Sequence, residues 1–575
     1  MTKKLTVIDL FAGAGGFSRG LEETGVYEVV MAVEVHPQYR ETYMRNHPRV
    51  PVLRDINRII GNRRFGALAD ALNSRYGRID LIVGGPPCQG FSKANRQRNH
   101  LISTNNLLAM SYMKFVDKLQ PRAFVMENVS EMPRHSFYVS TDPWDQVALE
   151  LSEVPKETEI VTLGSAGDAA RELVPFLKGF LDQDSVHELT CSKLVNTVYP
   201  SLRALHNYVG RGRSPKAEHY IELHQSFFRR SAKRVASSDA LPGFIKVPLV
   251  SLLRALGEGT EERSTTLASL NAVTSQLAIL AKVDELHRNR VKVLGIDQRD
   301  DKIVAHLESY NLADHLVRYF KKKGYNVEFD VLEAIKYGVP QRRERAIFIG
   351  VRGEVLQGRD LEFPKPLIGN ESGYYTVEDA IADLEDVEPV VDASQESLPR
   401  GEARILPSLA QYLRGNASDI HNHIRTQTRE LAQARYEALE PGQNFHDLPE
   451  ELTKTYSDPT RTQKNIYRRL EYGAPAPTVT NVRKAMWVHP TIDRAVSVRE
   501  AARLQSFPDS YRFCGTKDAQ YQQVGNAVPP LLAQAVGEAV ARMLDTTPKR
   551  CLAEILKAHP PIERIVPIDR EVALT

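Results

Sequence analysis

Short apolar runs recur along the first part of the chain, each ending near a glycine turn or a carboxylate. They are Leu5–Leu10, Val29–Val35, Val50–Leu53, Ile79–Val83 and Ala123–Met126. Continuous apolar runs of this length, bounded by turn signals, predict strands buried on both faces. Helical patterns alternate with them. Phe17–Glu23 opens one helix. Residues 101–121 carry Leu107, Leu108, Met110, Met113, Phe115, Val116 and Leu119 on a broad apolar face, and Pro121 ends it. Strands alternating with helices predict an α/β fold. Further strands are predicted at Tyr325–Val327, Val331–Leu332 and Ala346–Val351, and late helices at Ser497–Asp509 and Leu531–Leu544. The middle of the chain has a different period. Leu267, Leu270, Val273, Leu277, Leu280, Val283 and Leu286 recur every three or four residues, which predicts helix.

The strand ends carry the polar residues that matter. Asp9-Leu10-Phe11-Ala12-Gly13-Ala14-Gly15-Gly16-Phe17 follows the first strand, and its glycines let backbone approach a ligand at a helix N-terminus. Glu34 closes the second strand twenty-one residues after Gly13, near the spacing at which an acid meets a ribose hydroxyl. Asp55-Ile56 follows the third run. The loop departs from GxGxxG, and alone it reads equally as a plain strand-turn-helix joint. The two carboxylates at strand ends favour an adenosine-containing cofactor.

After the fourth run comes Gly84-Gly85-Pro86-Pro87-Cys88-Gln89-Gly90-Phe91-Ser92. Two glycines and two prolines stop the strand and stiffen the loop. A cysteine there sits where ligands bind in parallel sheets, which suits a nucleophile. A buried, inert cysteine needs no such flanks. The fifth strand stops at Glu127-Asn128-Val129. Its acid faces the same crevice or, on the plainer view, is a cap or a surface charge. Later, Gln341-Arg342-Arg343-Glu344-Arg345 precedes a strand. In extended backbone Arg343 and Arg345 share a face. There they would hold phosphate or a polar base edge, or simply be a solvated charged edge.

Length adds domain count: 575 residues are too many for one ordinary core, so two or three domains are expected. A net charge of +3 restricts any nucleic-acid surface to a local patch. Cys88, Cys191, Cys514 and Cys551 lie far apart without CxxC spacing, against a disulfide framework or a zinc site. No metal is expected. The N-terminus enters a strand pattern directly and no long apolar span follows, so a cytoplasmic protein without a membrane partner is expected, nucleoid-associated if it binds DNA.

Taken together, the motifs resemble those of DNA cytosine-5 methyltransferases of bacterial type. The loop at Phe11–Gly16, Glu34, Asp55-Ile56, Pro87-Cys88-Gln89, Glu127-Asn128-Val129, Gln341-x-Arg343-x-Arg345, the Arg499–Asp509 segment and Gly525-Asn526-Ala527-Val528 stand in that family's order. The resemblance covers about 1–133, 305–355 and 476–545. It implies a Rossmann-like methyltransferase domain built from 1–136, 301–355 and 476–545. It implies S-adenosyl-L-methionine as methyl donor, held by Phe11, Ala12, Gly13, Gly15, Gly16, Glu34, Asp55, Ile56, Pro87 and Asn526. It also implies that the last helix returns to the first to complete the pocket.

The implied chemistry uses Cys88, Glu127, Arg343 and Arg345. Carbon 5 of cytosine is a poor nucleophile, and a thiolate adding to carbon 6 makes it enamine-like. Glu127 would contact N3 and the exocyclic amine. Arg345, with Arg343 beside it, would hold the O2 edge. The base must leave the duplex.

Three regions lie outside this core. Residues 356–475 stand where the family keeps a smaller target-recognition domain, and the long segment favours double-stranded DNA over tRNA as substrate. Its His421-Asn422-His423 is not read as a nuclease motif. Residues 137–300 read as an inserted, mainly helical region, a departure from the family's short connection. Arg211, Arg213, Lys216, Arg229, Arg230, Lys233 and Arg234 there suggest contact with DNA backbone, or a solvated helical face. Residues 546–575 read as a tail or packed strap. A modification enzyme with a cognate restriction endonuclease, or a solitary enzyme, is the leading expectation. A tRNA enzyme and an idle DNA-binding relative are the alternatives.

Overall fold

A computed structural model describes residues 3–563 except 62–63, 88–105, 166–169, 182–191, 211–213, 259–262, 393–396, 402–404 and 457. In chain order the strands are β1 (Leu5–Leu10), β2 (Tyr27–Val33), β3 (Val52–Leu53), β4 (Leu81–Gly84) and β5 (Ala123–Val129). They continue as β6 (Ser136–Tyr138), β7 (Lys156–Ser165), β8 (Val293–Arg299), β9 (Lys302–Asn311), β10 (Tyr325–Glu333) and β11 (Glu344–Arg352). Two compact units result. One holds Met1–Ala94, Leu108–Met132 and Phe320–Thr575, the other Asn95–Leu107 and Pro133–Tyr319.

The first unit is built on a seven-stranded sheet of order β10-β11-β5-β4-β1-β2-β3. The central strands β2, β1, β4 and β5 run parallel, while β11 is antiparallel to both β5 and β10. Every residue of β1 and of β4 is buried, which is why their sequences are mainly apolar and not alternating. The helix Gly16–Glu23 packs closely against the helix Pro530–Met543. A Cβ at Gly20 would be driven into the Pro530 carbonyl, and one at Gly537 would meet Leu21 Cδ2 at 2.6 Å. This contact brings the end of the chain back to its beginning.

Segment 356–475 does not form a separate compact unit. Tyr375, Val377, Ile381, Leu409, Leu413 and Leu470 share the first unit's main core. A smaller cluster, with Tyr436, Phe445, Leu448 and Tyr467 at its centre, is distinct from it. Residues 546–563 form a packed strap: Leu552 N donates to Glu538 Oε1 at 2.6 Å and Ile562 N to Asp379 Oδ1 at 2.7 Å, while 564–575 lie outside the described residues.

The second unit contains the long helices Ser192–Val209, Ser214–Ala236, Gly243–Glu258 and Arg263–Arg288. Leu270, Val273, Leu277, Leu280, Val283 and Leu286 are buried along the last of these, as their spacing predicts. The unit also has a four-stranded antiparallel sheet in which β9 pairs with β6, β7 and β8. This compact unit ends at Tyr319. The strand β7 is polar and largely exposed, and its partner β9 lies beyond five helices. A local apolar pattern could not reveal that pairing. Among the described residues no helix is long and apolar enough to cross a membrane.

Candidate active site and cofactor cleft

The order of the sheet turns at β1. The chain proceeds from β1 to β2 and β3 on one side, and β4 and β5 lie on the other. At such a switch point the loops leaving adjacent strands diverge and open a crevice at their carboxyl ends. Here those loops are Phe11–Gly15, after β1, and Gly85–Pro87, after β4.

Phe11, Gly13 and Gly15 all have positive φ, at 58°, 56° and 90°. Gly15 has no room for a side chain, since a Cβ would stand 2.5 Å from Tyr511 Oη and 3.0 Å from His47 Nε2. At Gly13 a Cβ would meet nothing closer than Phe11 O at 4.0 Å, so that position opens on the cleft. Glu34, at the end of β2, fixes the loop: Gly13 N donates to its Oε2 at 2.8 Å and His36 N to its Oε1 at 2.7 Å. Burial raises the Glu34 pKa, against the pull of those two donors.

The resulting cleft is open on one side. Phe11, Ala12, Gly13, Gly16 and Asn526 line it, together with Glu127. Gly15 and Glu34 support the loop. Asp55 caps the helix Ile56–Ile60, accepting from Asn57 N at 2.9 Å, and Ile56 is buried. Pro87 is exposed at the end of the described loop. Cys88 follows it in sequence and lies outside the described residues.

Glu127 and Arg345 meet across β5 and β11. Register pairs Arg345 with Val129 and Ile347 with Glu127, so the two charged residues are diagonal neighbours on one face. Arg345 Nε lies 2.7 Å from Glu127 Oε1, and both side chains are largely buried. The β4 loop presses on this pair. A Cβ at Gly85 would come within 2.7 Å of Glu127 Oε2, and Asn128 Nδ2 donates to Pro86 O at 3.2 Å.

Arg343 does not join Arg345. It precedes β11, so strand alternation does not apply to it, and its guanidinium is buried elsewhere. It donates to Val479 O at 2.9 Å, Gly525 O at 3.1 Å and Ala527 O at 3.0 Å. Arg343 thus clamps the backbone on both sides of Asn526. Gln341 acts similarly, donating to Leu504 O at 2.9 Å and accepting from Val479 N at 2.9 Å. The Arg499–Asp509 segment is a buried brace as well. Arg503 donates to both oxygens of Asp509, at 2.9 and 2.7 Å, and also pairs with Asp383. Beyond it Tyr511 donates to the Ala14 carbonyl behind the cofactor loop.

Asp9, Tyr39 and Gln523 are among the lining residues that had no role assigned from sequence. Asp9 is legible as a lone carboxylate inside an apolar strand. Ser18 Oγ donates to it at 2.6 Å, and burial pushes its pKa up to about 7. Nothing in the sequence marks Gln523. His421-Asn422-His423 is structural. Asn422, at φ 60°, accepts from Phe513 N at 2.9 Å. His423 is buried between Val387 O and Ser497 Oγ, at 2.8 and 2.9 Å, and burial lowers its pKa.

A seven-stranded sheet with one antiparallel hairpin at its edge, a glycine loop after β1 and an acid after β2 define a cofactor-binding α/β fold of methyltransferase type. The family model of C-5 cytosine-specific DNA methylases matches residues 5–154 and 302–542, and the chain belongs to that family. The match passes over 155–301, most of the second unit. Among curated relatives, the type II methyltransferase M.XorII of Xanthomonas oryzae pv. oryzae is 31% identical, covering 94% of this chain and 86% of its own. M1.HphI of Haemophilus parahaemolyticus is 25% identical, over 94% and 87%. M.DdeI of Desulfomicrobium norvegicum is 24% identical, over 93% and 88%. The chain is thus a DNA cytosine-5 methyltransferase of bacterial type.

Proposed function

We propose that this chain methylates carbon 5 of cytosine within a specific double-stranded DNA sequence, as the modification half of a type II system with a cognate endonuclease. The observation that carries the reading is the Glu127–Arg345 pair at the cleft, with Gly85 pressed against Glu127 just ahead of Cys88. The donor is S-adenosylmethionine, whose sulfonium supplies an electrophilic methyl group. The cleft suits it: Gly13 opens on it, and Glu34 and Asp55 stand at strand ends.

The chain's own residues do the rest. The Cys88 thiolate adds to carbon 6, and the electron pair moves to carbon 5, which takes the methyl group. A base removes the carbon 5 proton, and the returning pair expels the Cys88 thiolate. Glu127 holds N3 and the exocyclic amine, while Arg345 orients Glu127 and faces the O2 edge. The target base is turned out of the duplex, at a cost of a few kcal/mol met by protein contacts. Segment 356–475 supplies base-edge contacts that choose the sequence.

The test is methyl transfer from labelled S-adenosylmethionine to unmethylated DNA and to tRNA, with Cys88→Ser alongside and bisulfite sequencing of the product. Label in DNA that disappears with Cys88→Ser is expected. Label only in tRNA would move the substrate. Label in neither would remove the enzyme reading.

A further inference from the structure

The second unit carries a charged surface that the scheme above leaves without a role. The family model passes over most of that unit, at residues 155–301. Along the helix Ser214–Ala236 the exposed positions after Glu222 are Leu223, Ser226, Arg229, Arg230, Lys233 and Arg234. They recur at intervals of three and four, which places them on one face. Four cations thus follow one another over about 8 Å of helix, with no carboxylate between Glu222 and Asp239. Asp239 is itself taken by Lys246, at 3.5 Å. On the neighbouring helix Gly243–Glu258, exposed Arg254 and Glu258 cancel.

The face is firmly seated. Arg229 Nε donates to Gly257 O at 2.6 Å, and a Cβ at Gly257 would stand 2.7 Å from Arg229 Cγ. Among the described residues Arg230, Lys233 and Arg234 make no hydrogen bond or ion pair through their side chains, so their charges stand unneutralised. Lys233 and Arg234 lie in the last turn, where they also complement the helix dipole, but Arg230 lies a turn earlier, beyond that effect. The whole chain is only +3, so this surplus is a local field. Guanidinium, ammonium and serine hydroxyl groups are phosphate donors. None of the exposed positions on this stretch is Asn or Gln, the residues that read adenine edges.

We propose that this face holds the sugar-phosphate backbone of duplex DNA, so that the second unit adds affinity without reading sequence. This rests on duplex DNA as the substrate and is separate from the sequence choice made by 356–475. The probe is a short dA·dT duplex, which offers the catalytic cleft no cytosine. Its binding to the full chain at low salt is measured by fluorescence anisotropy. The triple variant Arg230→Gln, Lys233→Gln, Arg234→Gln is compared with the unaltered protein. A second triple variant, Lys193→Gln, Arg299→Gln, Lys302→Gln, removes three exposed cations elsewhere in the same unit. The first is expected to weaken binding by about tenfold or more and the second by less than about threefold. Equal weakening in both would reduce the effect to overall charge and overturn the proposal, as would no weakening in the first. Weakened binding of tRNA with dA·dT binding unchanged would give the face to RNA and overturn it too. If the first triple variant does not fold, Arg230→Glu alone should weaken dA·dT binding by about threefold or more. Failure of the unaltered protein to bind any duplex would overturn DNA as substrate together with this surface, whereas binding that survives the triple substitution overturns the surface alone.

Discussion

Glu127 Oε1 and Arg345 Nε stand 2.7 Å apart on neighbouring antiparallel strands, diagonal to one another across the ladder. Each is the other's partner in a largely buried setting, so neither can be altered alone without stranding a charge. Glu127→Gln keeps the shape and removes the charge. It should lower single-turnover methyl transfer by about 10²–10⁴-fold, the range of a positioned acid–base group, with little change in cofactor affinity. A loss under tenfold would take Glu127 out of the chemistry.

Gly85 tests the same pair by steric means. A Cβ there meets Glu127 Oε2 at 2.7 Å, and Arg345 prevents that carboxylate from yielding freely. Gly85→Ala should therefore displace the carboxylate while leaving the fold intact. About 10²-fold in kcat is expected from such a misplacement, with the thermal midpoint nearly unchanged.

Arg343 and Arg345 should separate cleanly in experiment. Arg343→Met deprives three backbone carbonyls of their donor, a destabilisation of about 3 kcal/mol or more. Because two of those carbonyls flank Asn526, the KM for S-adenosylmethionine should rise as well. Arg345→Met should instead lower kcat with a smaller effect on the unfolding midpoint. Denaturant unfolding and steady-state kinetics on both variants decide this.

Asp9 makes stability depend on pH. Its pKa is raised from an ordinary 3.8 to about 7 in the folded chain, chiefly by burial. The folded state then holds a proton that the unfolded state has released. The stabilisation is full below about 4 and is lost as pH rises through about 7. Asp9→Asn should flatten that fall between pH 5 and 7 in denaturant unfolding of the cofactor-free protein.

On the helix Ser214–Ala236, Arg230, Lys233 and Arg234 are exposed, while Arg229 donates to Gly257 O at 2.6 Å and packs on that glycine. If the helix meets DNA phosphates, neutralising Arg230, Lys233 and Arg234 should reduce the slope of log binding constant against log salt by about 0.9 for each phosphate that is no longer neutralised. An unchanged slope would leave this face as solvated surface.

The amino-acid sequence alone determined what depends on local pattern. Strands buried on both faces are mainly apolar, so β1 and β4 were legible, as was the helix Asn106–Leu119. The glycines of the β1 loop and the acid after β2 were legible because their backbone and spacing demands are local. Tertiary structure decided what depends on distant partners. Arg343 and Arg345 look alike in sequence, yet one begins a clamp on Gly525 and Ala527 and the other faces Glu127, because the strand starts between them. The pairing of β7 with β9 joins residues separated by five helices. A side chain's chemistry is written in the chain, but its direction is set by whatever the fold brings beside it.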